Sequence, residues 1–179
     1  RLIDVHQQSI SLHSVRFEKN WKWKLNRPRF RKQTFVIHTG EGTDEASGQE
    51  ISELIRWNIF KKEIMGVHGV AMNVEQAAFF KALIWCPASN YFLLNETAPV
   101  KELKEKVPGR FGTDSTLTTS WDAWTHIRKA RDTAMLSDLE LFESLTIKPA
   151  IAWGMHKKGS LLAGQTADIV IAENKNNRE

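Results

Sequence analysis

The sequence has little of several features that would fix its class at once. One cysteine, Cys86, stands among 179 residues, which excludes an internal disulfide and fits a reducing compartment. No apolar run approaches the ~20 residues that a membrane-spanning helix needs. The opening segment, residues 1–6, has no signal-peptide pattern. We therefore expect a cytoplasmic protein without a membrane partner.

The composition that is present is that of an ordinary globular domain. Hydrophobic residues make up 41% of the chain and charged residues 26%, as is usual for such domains. The length allows one domain with a substantial core. It falls short of the roughly 250 residues of a complete eight-stranded α/β barrel.

Positive charge is concentrated in residues 16–32. Eight of these residues are Lys or Arg and only Glu18 is acidic, while the whole chain carries a net charge of +4. Aromatic side chains alternate with the basic ones, a pattern that nucleic-acid or anionic surfaces also use. Nothing else in the chain supports nucleic-acid binding. We interpret the stretch as a solvated helix face with inward-packed aromatics and predict no nucleic-acid partner.

Short β-branched and apolar runs alternate with helix-like segments along the chain. Strands are predicted over residues 2–5, 34–39, 64–68, 83–86, 110–112 and after Asp168. Helices are predicted over residues 11–25, 47–61, 99–107 and around 149–153, and from the caps Asn73, Ser120 and Ser137. Strands about 20 to 30 residues apart with helices between them favour parallel βαβ units. We expect an α/β fold with about five parallel strands.

Polar residues stand at the C-terminal ends of three predicted strands. His38 and Glu41 follow the first of them, His68 ends the next, and Asp114 follows the last. Each has a structural explanation of its own: a surface His-Glu pair, a core histidine bonded to a carbonyl, and a helix N-cap. Their equivalent positions favour one active site at the mouth of a barrel.

These residues belong to a longer series of motifs. The series comprises His38-Thr-Gly-Glu41, His68-Gly, Cys86-Pro-Ala-Ser-Asn90, Gly112-Thr-Asp-Ser115, Leu145-Thr-Ile-Lys-Pro-Ala150 and Gly159-Ser-Leu-Leu-Ala-Gly-Gln-Thr-Ala-Asp168. In this order the series resembles the C-terminal part of the amidohydrolase superfamily, in the branch of deaminases and triazine chlorohydrolases. The resemblance implies the C-terminal portion of a (β/α)8 TIM-type barrel, from about its fourth strand, over residues 1–155. Residues 156–179 would supply the closing strand of a flanking β-sandwich and a polar tail.

The resemblance also implies a mononuclear metal site and a reaction. His38 and Asp114 would bind one divalent metal, zinc first and iron second, and Asp114 would also take a proton from the metal-activated water. Glu41 would pass a proton to the substrate, and His68 would orient and polarise it. Ser89 and Asn90 would line the substrate pocket. The reaction would be deamination-type hydrolysis of a C–N bond in a heterocyclic or amidine-like small molecule.

One departure from the superfamily pattern leaves a second interpretation open. The family takes two further ligands from a His-x-His pair, and this sequence contains none. We expect the strands that carry this pair, the first strands of the barrel, to lie upstream of Arg1. We also expect the isolated chain to bind metal poorly and to be inactive, since catalytic zinc normally has three protein ligands. The alternative is a non-catalytic half-barrel with an assembly role. Its open sheet edge would pair with the missing N-terminal portion or with a second copy, as a homodimer.

Overall fold

A parallel sheet of five strands forms the centre of the computed structural model, which describes residues 9–12, 14–28 and 34–171. The strands are β1 (Ser9–Leu12), β2 (Thr34–Thr39), β3 (Ile64–His68), β4 (Ala82–Trp85) and β5 (Gly109–Phe111). They pair in chain order, and all four pairings are parallel. This confirms the predicted α/β class, and β2 to β5 lie where strands were predicted, whereas β1 was not predicted. The described sheet does not close, so β1 and β5 are its edges.

Helices connect successive strands and follow the last one. They are α1 (Trp21–Asn26), α2 (Glu45–Trp57), α3 (Val74–Ala77), α4 (Pro87–Leu94), α5 (Val100–Leu103), α6 (Ala123–Asp132), α7 (Asp138–Leu145) and α8 (Ile147–Ala152). Capping boxes at Asn73 and Ser137 begin α3 and α7, because each cap side chain accepts from the third backbone N–H of its helix. Both of these predicted helix starts are confirmed.

The two faces of the sheet are covered by different elements. Successive strand residues point to opposite faces, so Phe35 and Ile37 pack with the buried residues of α1, α2 and α5, while Val36 faces the other way. Val36 packs with Met65, Val67 and Ala152, the last from α8. Both faces of the sheet are therefore apolar, as in other parallel sheets. Polar side chains that could act in a site lie at the ends of the strands.

The N-terminal region differs from the prediction. Residues 11–25 were expected to form one helix, but Ser9–Leu12 is a strand in register with Thr34–Ile37, and only Trp21–Asn26 is helical. The apolar residues in this stretch recur at mixed spacings and lack a regular helical period, so pairing with β2 prevails. The strand predicted over residues 2–5 lies outside the described residues.

Two further segments also differ. No helix was predicted directly after the strand 83–86, but Pro87 begins α4 at once, since a proline at the first helical position has no N–H to leave unbonded. The strand predicted after Asp168 is absent from residues 169–171, where Ile169, Val170 and Ile171 are 59–94% exposed. A strand needs a neighbour for its backbone hydrogen bonds, and the described part of the chain provides none there.

The division of the chain into a barrel portion, residues 1–155, and a sandwich strand with a tail, residues 156–179, stays a prediction.

Among the described residues, every helix is too short or too polar to cross a membrane.

Candidate metal centre

The end of β2 delivers His38 and Glu41 to the C-terminal edge of the sheet. After Thr39 the backbone turns at Gly40, whose φ is +60°. A side chain there would be strained, and its Cβ would come within 2.5 Å of Ile51 Cδ1. The chain can therefore reverse tightly over α2, which brings Glu41 back beside the histidine three residues earlier.

The end of β3 places His68 next to this turn. His68 is fully buried and has a φ of +71°, in the left-handed region that few non-glycine residues occupy. Gly69 N–H donates to Thr39 O at 3.0 Å, and Ala71 N–H donates to Gly40 O at 3.1 Å. These two bonds continue the pairing of β2 and β3 beyond the strands and hold His68 against the β2 turn.

The end of β5 carries Asp114, also with a positive φ, of +59°. Gly112 N–H donates to Trp85 O at 2.8 Å, and a Cβ on Gly112 would lie 2.8 Å from Cys86 Sγ. Only glycine allows this close approach to β4. Asp114 was weighed as a helix N-cap, but α6 begins nine residues later at Ala123 and is capped by Asp122.

The four residues converge at one edge of the sheet. The rings of His38 and His68 are 4.9 Å apart between centroids and nearly perpendicular. Glu41 lies between them, with carboxylate oxygens 4.0 Å from His38 Nδ1 and 3.4 Å from His68 Nε2. Asp114 Oδ1 approaches His68 Nε2 at 4.0 Å. The structure thus brings the predicted strand-end residues into one cluster.

Ser89 and Asn90, in the first turn of α4, hold two members of the cluster. Ser89 Oγ donates to Asp114 Oδ2 at 2.5 Å. His68 Nδ1 and Asn90 Oδ1 are 3.0 Å apart. Since an amide oxygen can only accept, Nδ1 carries the proton and Nε2 presents its lone pair to the cluster. Both residues were predicted to line the substrate pocket, and both are almost completely buried behind the cluster.

Hydrogen bonds to Asp114 favour its ionised form. Burial acts to raise the pKa of Asp114, but hydrogen bonds from the Ser89 hydroxyl and the Ser115 backbone N–H act to lower it. The net result is a pKa below the usual value for aspartate. This carboxylate is therefore charged throughout the neutral pH range.

A divalent metal fits the donor set. His38, Glu41 and His68 each offer a ligand atom, and these atoms lie within 4.8 Å of one another. His68 Nε2 is buried and has no hydrogen-bond partner in the described structure, whereas buried polar atoms are normally satisfied. Its other nitrogen is held by Asn90, as the second nitrogen of a metal-binding histidine usually is. Asp114 approaches His68 of this group but is not one of the three residues whose ligand atoms lie this close together.

Sequence reasoning missed two residues that follow β5, and one of them contacts the cluster. Thr118 Oγ1 lies 2.9 Å from Ser89 Oγ and 3.4 Å from Asp114 Oδ2. His126 is 1% exposed, with Nε2 2.6 Å from Ser120 O. Both depend on how the loop after β5 folds back, and no motif or periodicity in the sequence marks that path.

Comparison with known proteins adds one match. The model described as "Amidohydrolase family" matches residues 29–179, most of the chain. No curated protein matches the sequence.

Proposed function

The chain belongs to the amidohydrolase family, and from this premise we propose that it takes part in hydrolysis of a C–N bond in a heterocyclic or amidine-like small molecule. Family membership indicates hydrolase chemistry and, in general, dependence on a metal. The observation that supports the proposal most strongly is the convergence of two imidazoles and two carboxylates where β2, β3 and β5 end. Active sites of barrel enzymes lie at this face.

His38 and Asp114 are the proposed ligands of one divalent cation, with zinc preferred over iron. Imidazole nitrogen and carboxylate oxygen both suit zinc, and iron(II) accepts the same ligands. His68 Nε2 is available as a further donor, since its lone pair faces the cluster without a hydrogen-bond partner. When bound, the cation supplies Lewis-acid activation of water.

The two carboxylates have different proposed tasks because their surroundings differ. Asp114 has a side chain only 15% exposed and a lowered pKa, so at neutral pH it is an anion able to accept a proton. Ser89 occupies Oδ2, which leaves Oδ1 toward the cluster. Glu41 is 29% exposed and so can reach a bound substrate, to which it would deliver a proton.

Asn90 is the residue that sets the state of His68 in this proposal. By accepting from Nδ1 it fixes the ring orientation and the tautomer, which keeps Nε2 facing Glu41 and Asp114. Nε2 of His68 then accepts a hydrogen bond from the substrate and orients its attacked end. A substrate with an amino-bearing, nitrogen-rich carbon suits a cluster that can both accept and return a proton.

Metal analysis together with product analysis tests the proposal. Purified chain is loaded with zinc or iron(II), its metal content is measured, and ammonia release is followed over a panel of aminoheterocycles. Because the family's His-x-His pair is missing from this sequence, we expect metal to bind weakly, with the affinity lowered further in His38→Ala and Asp114→Ala and unchanged in the control His156→Ala, whose side chain is exposed. Any ammonia release should follow the bound metal across these variants. Equal metal content in all three variants would overturn the metal assignment.

The open sheet supports a second candidate function, assembly without catalysis. Among the described residues, β1 and β5 each have a neighbour on one side only, and unpaired edge strands readily accept another strand. The partner would be a second copy of the chain or an N-terminal portion of the barrel. Sedimentation velocity over a concentration series separates the functions: a stable dimer without metal favours assembly, and a metal-loaded species with ammonia release favours catalysis.

A further inference from the structure

Large apolar side chains are exposed at the edge of the sheet opposite the metal centre. The metal centre lies where β2, β3 and β5 end, whereas residues 56–63 and 78–81 lead into the starts of β3 and β4. Because these strands are parallel, both segments lie at the opposite edge of the sheet. They carry Ile59, Phe60 and Phe79, which are 63%, 64% and 63% exposed. Exposed apolar side chains that are grouped in this way mark sites of interaction.

The turn between α2 and β3 holds Ile59 and Phe60 at its tip. Asn58 Nδ2 donates to Lys62 O at 2.9 Å, and Lys62 N–H donates to Asn58 Oδ1 at 2.8 Å. Lys61 has a φ of +46°, in the left-handed region where the backbone reverses tightly. The two exposed apolar side chains therefore stand on a turn that hydrogen bonds close.

Contacts join α1 and the loop before β4 to this turn. Lys62 Nζ donates to Arg27 O at 2.5 Å. The guanidinium of Arg27 lies 5.2 Å from the ring centroid of Trp23, which is 61% exposed. At the loop before β4, Lys81 Nζ is 2.6 Å from Glu63 Oε2. These contacts make one surface, which we call the basal surface, of residues 21–28, 56–63 and 78–81.

The basal surface is positively charged. Its three segments contain seven Lys and Arg residues and one acidic residue, Glu63. Glu53 and Glu18 lie beside it as ion-pair partners of Lys22 and Lys24, at 3.0 and 2.6 Å. Seven positive and three negative charges leave a net charge of +4. An anionic lipid surface attracts such Lys and Arg residues and accepts Trp rings at the level of its headgroups.

The structure changes the interpretation of the basic stretch over residues 16–32. Its aromatic side chains were expected to pack inward, which holds for Trp21 at 5% exposed, but Trp23 is 61% exposed and Phe17 76%. The expectation of no membrane partner rested on the lack of a segment that could span a bilayer, and binding at the membrane surface needs no such segment. The outward-facing ring of Trp23 is therefore available to a partner.

We propose that the basal surface docks on an anionic phospholipid membrane. Trp23, Ile59, Phe60 and Phe79 enter the headgroup layer, and the Lys and Arg residues around them bind lipid phosphates. A nucleic acid fits this surface less well, because its bases stack on aromatic rings along a groove and Ile59 has no ring. The metal centre lies at the other edge of the sheet and so faces the solvent when the chain is docked. The inference is independent of the proposed hydrolase function, because it uses none of the same residues.

Vesicle flotation of the metal-free chain tests the proposal. The chain is mixed with phosphatidylcholine vesicles that contain either no phosphatidylserine or a minority of it, and a chelator prevents a metal from bridging protein and lipid. We expect the chain to float only with the phosphatidylserine vesicles. The bound fraction should fall as salt is added, because salt screens the attraction between charges. If the chain floats with neither kind of vesicle, or equally with both, the proposal is wrong.

Matched variants show whether the basal surface makes the contact. The double variant Ile59→Ser, Phe60→Ser should bind vesicles at least about tenfold more weakly, and Lys61→Gln about fivefold more weakly. The controls Phe92→Ser and Lys129→Gln change exposed side chains on α4 and α6 and should bind like the wild type. All four variants should keep nearly the wild-type Tm, because the changed side chains are exposed. Unchanged binding in the double variant, or an equal loss in the controls, would overturn the proposal.

Two other partners of the basal surface would give different results. Oligonucleotide binding that the double variant and Lys61→Gln weaken, without any vesicle binding, would make the surface a nucleic-acid site. A dimer in sedimentation velocity that the double variant abolishes, again without vesicle binding, would make it an interface between two copies of the chain. Either result contradicts docking on a membrane.

Discussion

Ser89→Ala should destabilise the protein in a pH-dependent way. The Ser89 hydroxyl donates to Asp114 Oδ2 at 2.5 Å, and Ser89 itself is fully buried. A hydrogen bond to a charged group contributes about 1.5–3 kcal/mol. We expect the free energy of unfolding at pH 7 to fall by about that amount and the pKa of Asp114 to rise.

The direction of the pH dependence follows from the lowered pKa of Asp114. The folded chain holds this carboxylate in its anionic form more strongly than the unfolded chain does. The resulting stability is present above the unfolded pKa and is lost as the pH falls through the folded pKa. The difference between wild type and Ser89→Ala should therefore shrink when the pH is taken below the unfolded pKa of aspartate.

Urea unfolding followed by tryptophan fluorescence measures this difference at neutral and acidic pH. Ser144→Ala is the matched control, because Ser144 is also buried but donates to a neutral group, Leu141 O, at 2.6 Å. Its cost of about 1 kcal/mol should not depend on pH. The reasoning is refuted if both variants show the same pH dependence, or if the Asp114 carboxyl resonance titrates unchanged in Ser89→Ala.

Two other predictions concern the backbone and the single thiol. Gly69→Ala should lower the free energy of unfolding by more than about 1 kcal/mol, because φ is +64° and the new Cβ would lie 2.7 Å from Leu83 Cδ1. The control Gly109→Ala has open space around the new Cβ and should lower it less, as measured by thermal melts of both variants. Cys86 should resist alkylation in the native state up to mildly alkaline pH and react only on unfolding, because burial and then Asp114 raise its pKa to about 12. Rapid native labelling followed by mass spectrometry would contradict this.

The strands that carry the site could be predicted because their signals are local. Residues 34–39 and 64–68 are short runs rich in β-branched and apolar residues, and each forms a strand over the predicted residues. Their ends could be aligned because neighbouring strands of a parallel sheet finish at the same edge. His38, Glu41, His68 and Asp114 could therefore be expected near one another before any distance was known.

The packing behind the site depends on long-range contacts and was harder to predict. Asn90 is 22 residues from His68, and Ser89 is 25 residues from Asp114. Their hydrogen bonds exist because α4 starts directly at Pro87, where no helix had been predicted.

Zinc titration of the metal-free chain, followed through histidine side-chain NMR, tests the central claim most directly. The ring nitrogens of His38 and His68 should respond together along one binding curve, while Nδ1 of His68 keeps the proton that it donates to Asn90. The signals of His126 and His156 should not change. If the two site histidines titrate at different zinc concentrations, or if the remaining histidines take the metal first, the single-site account is contradicted.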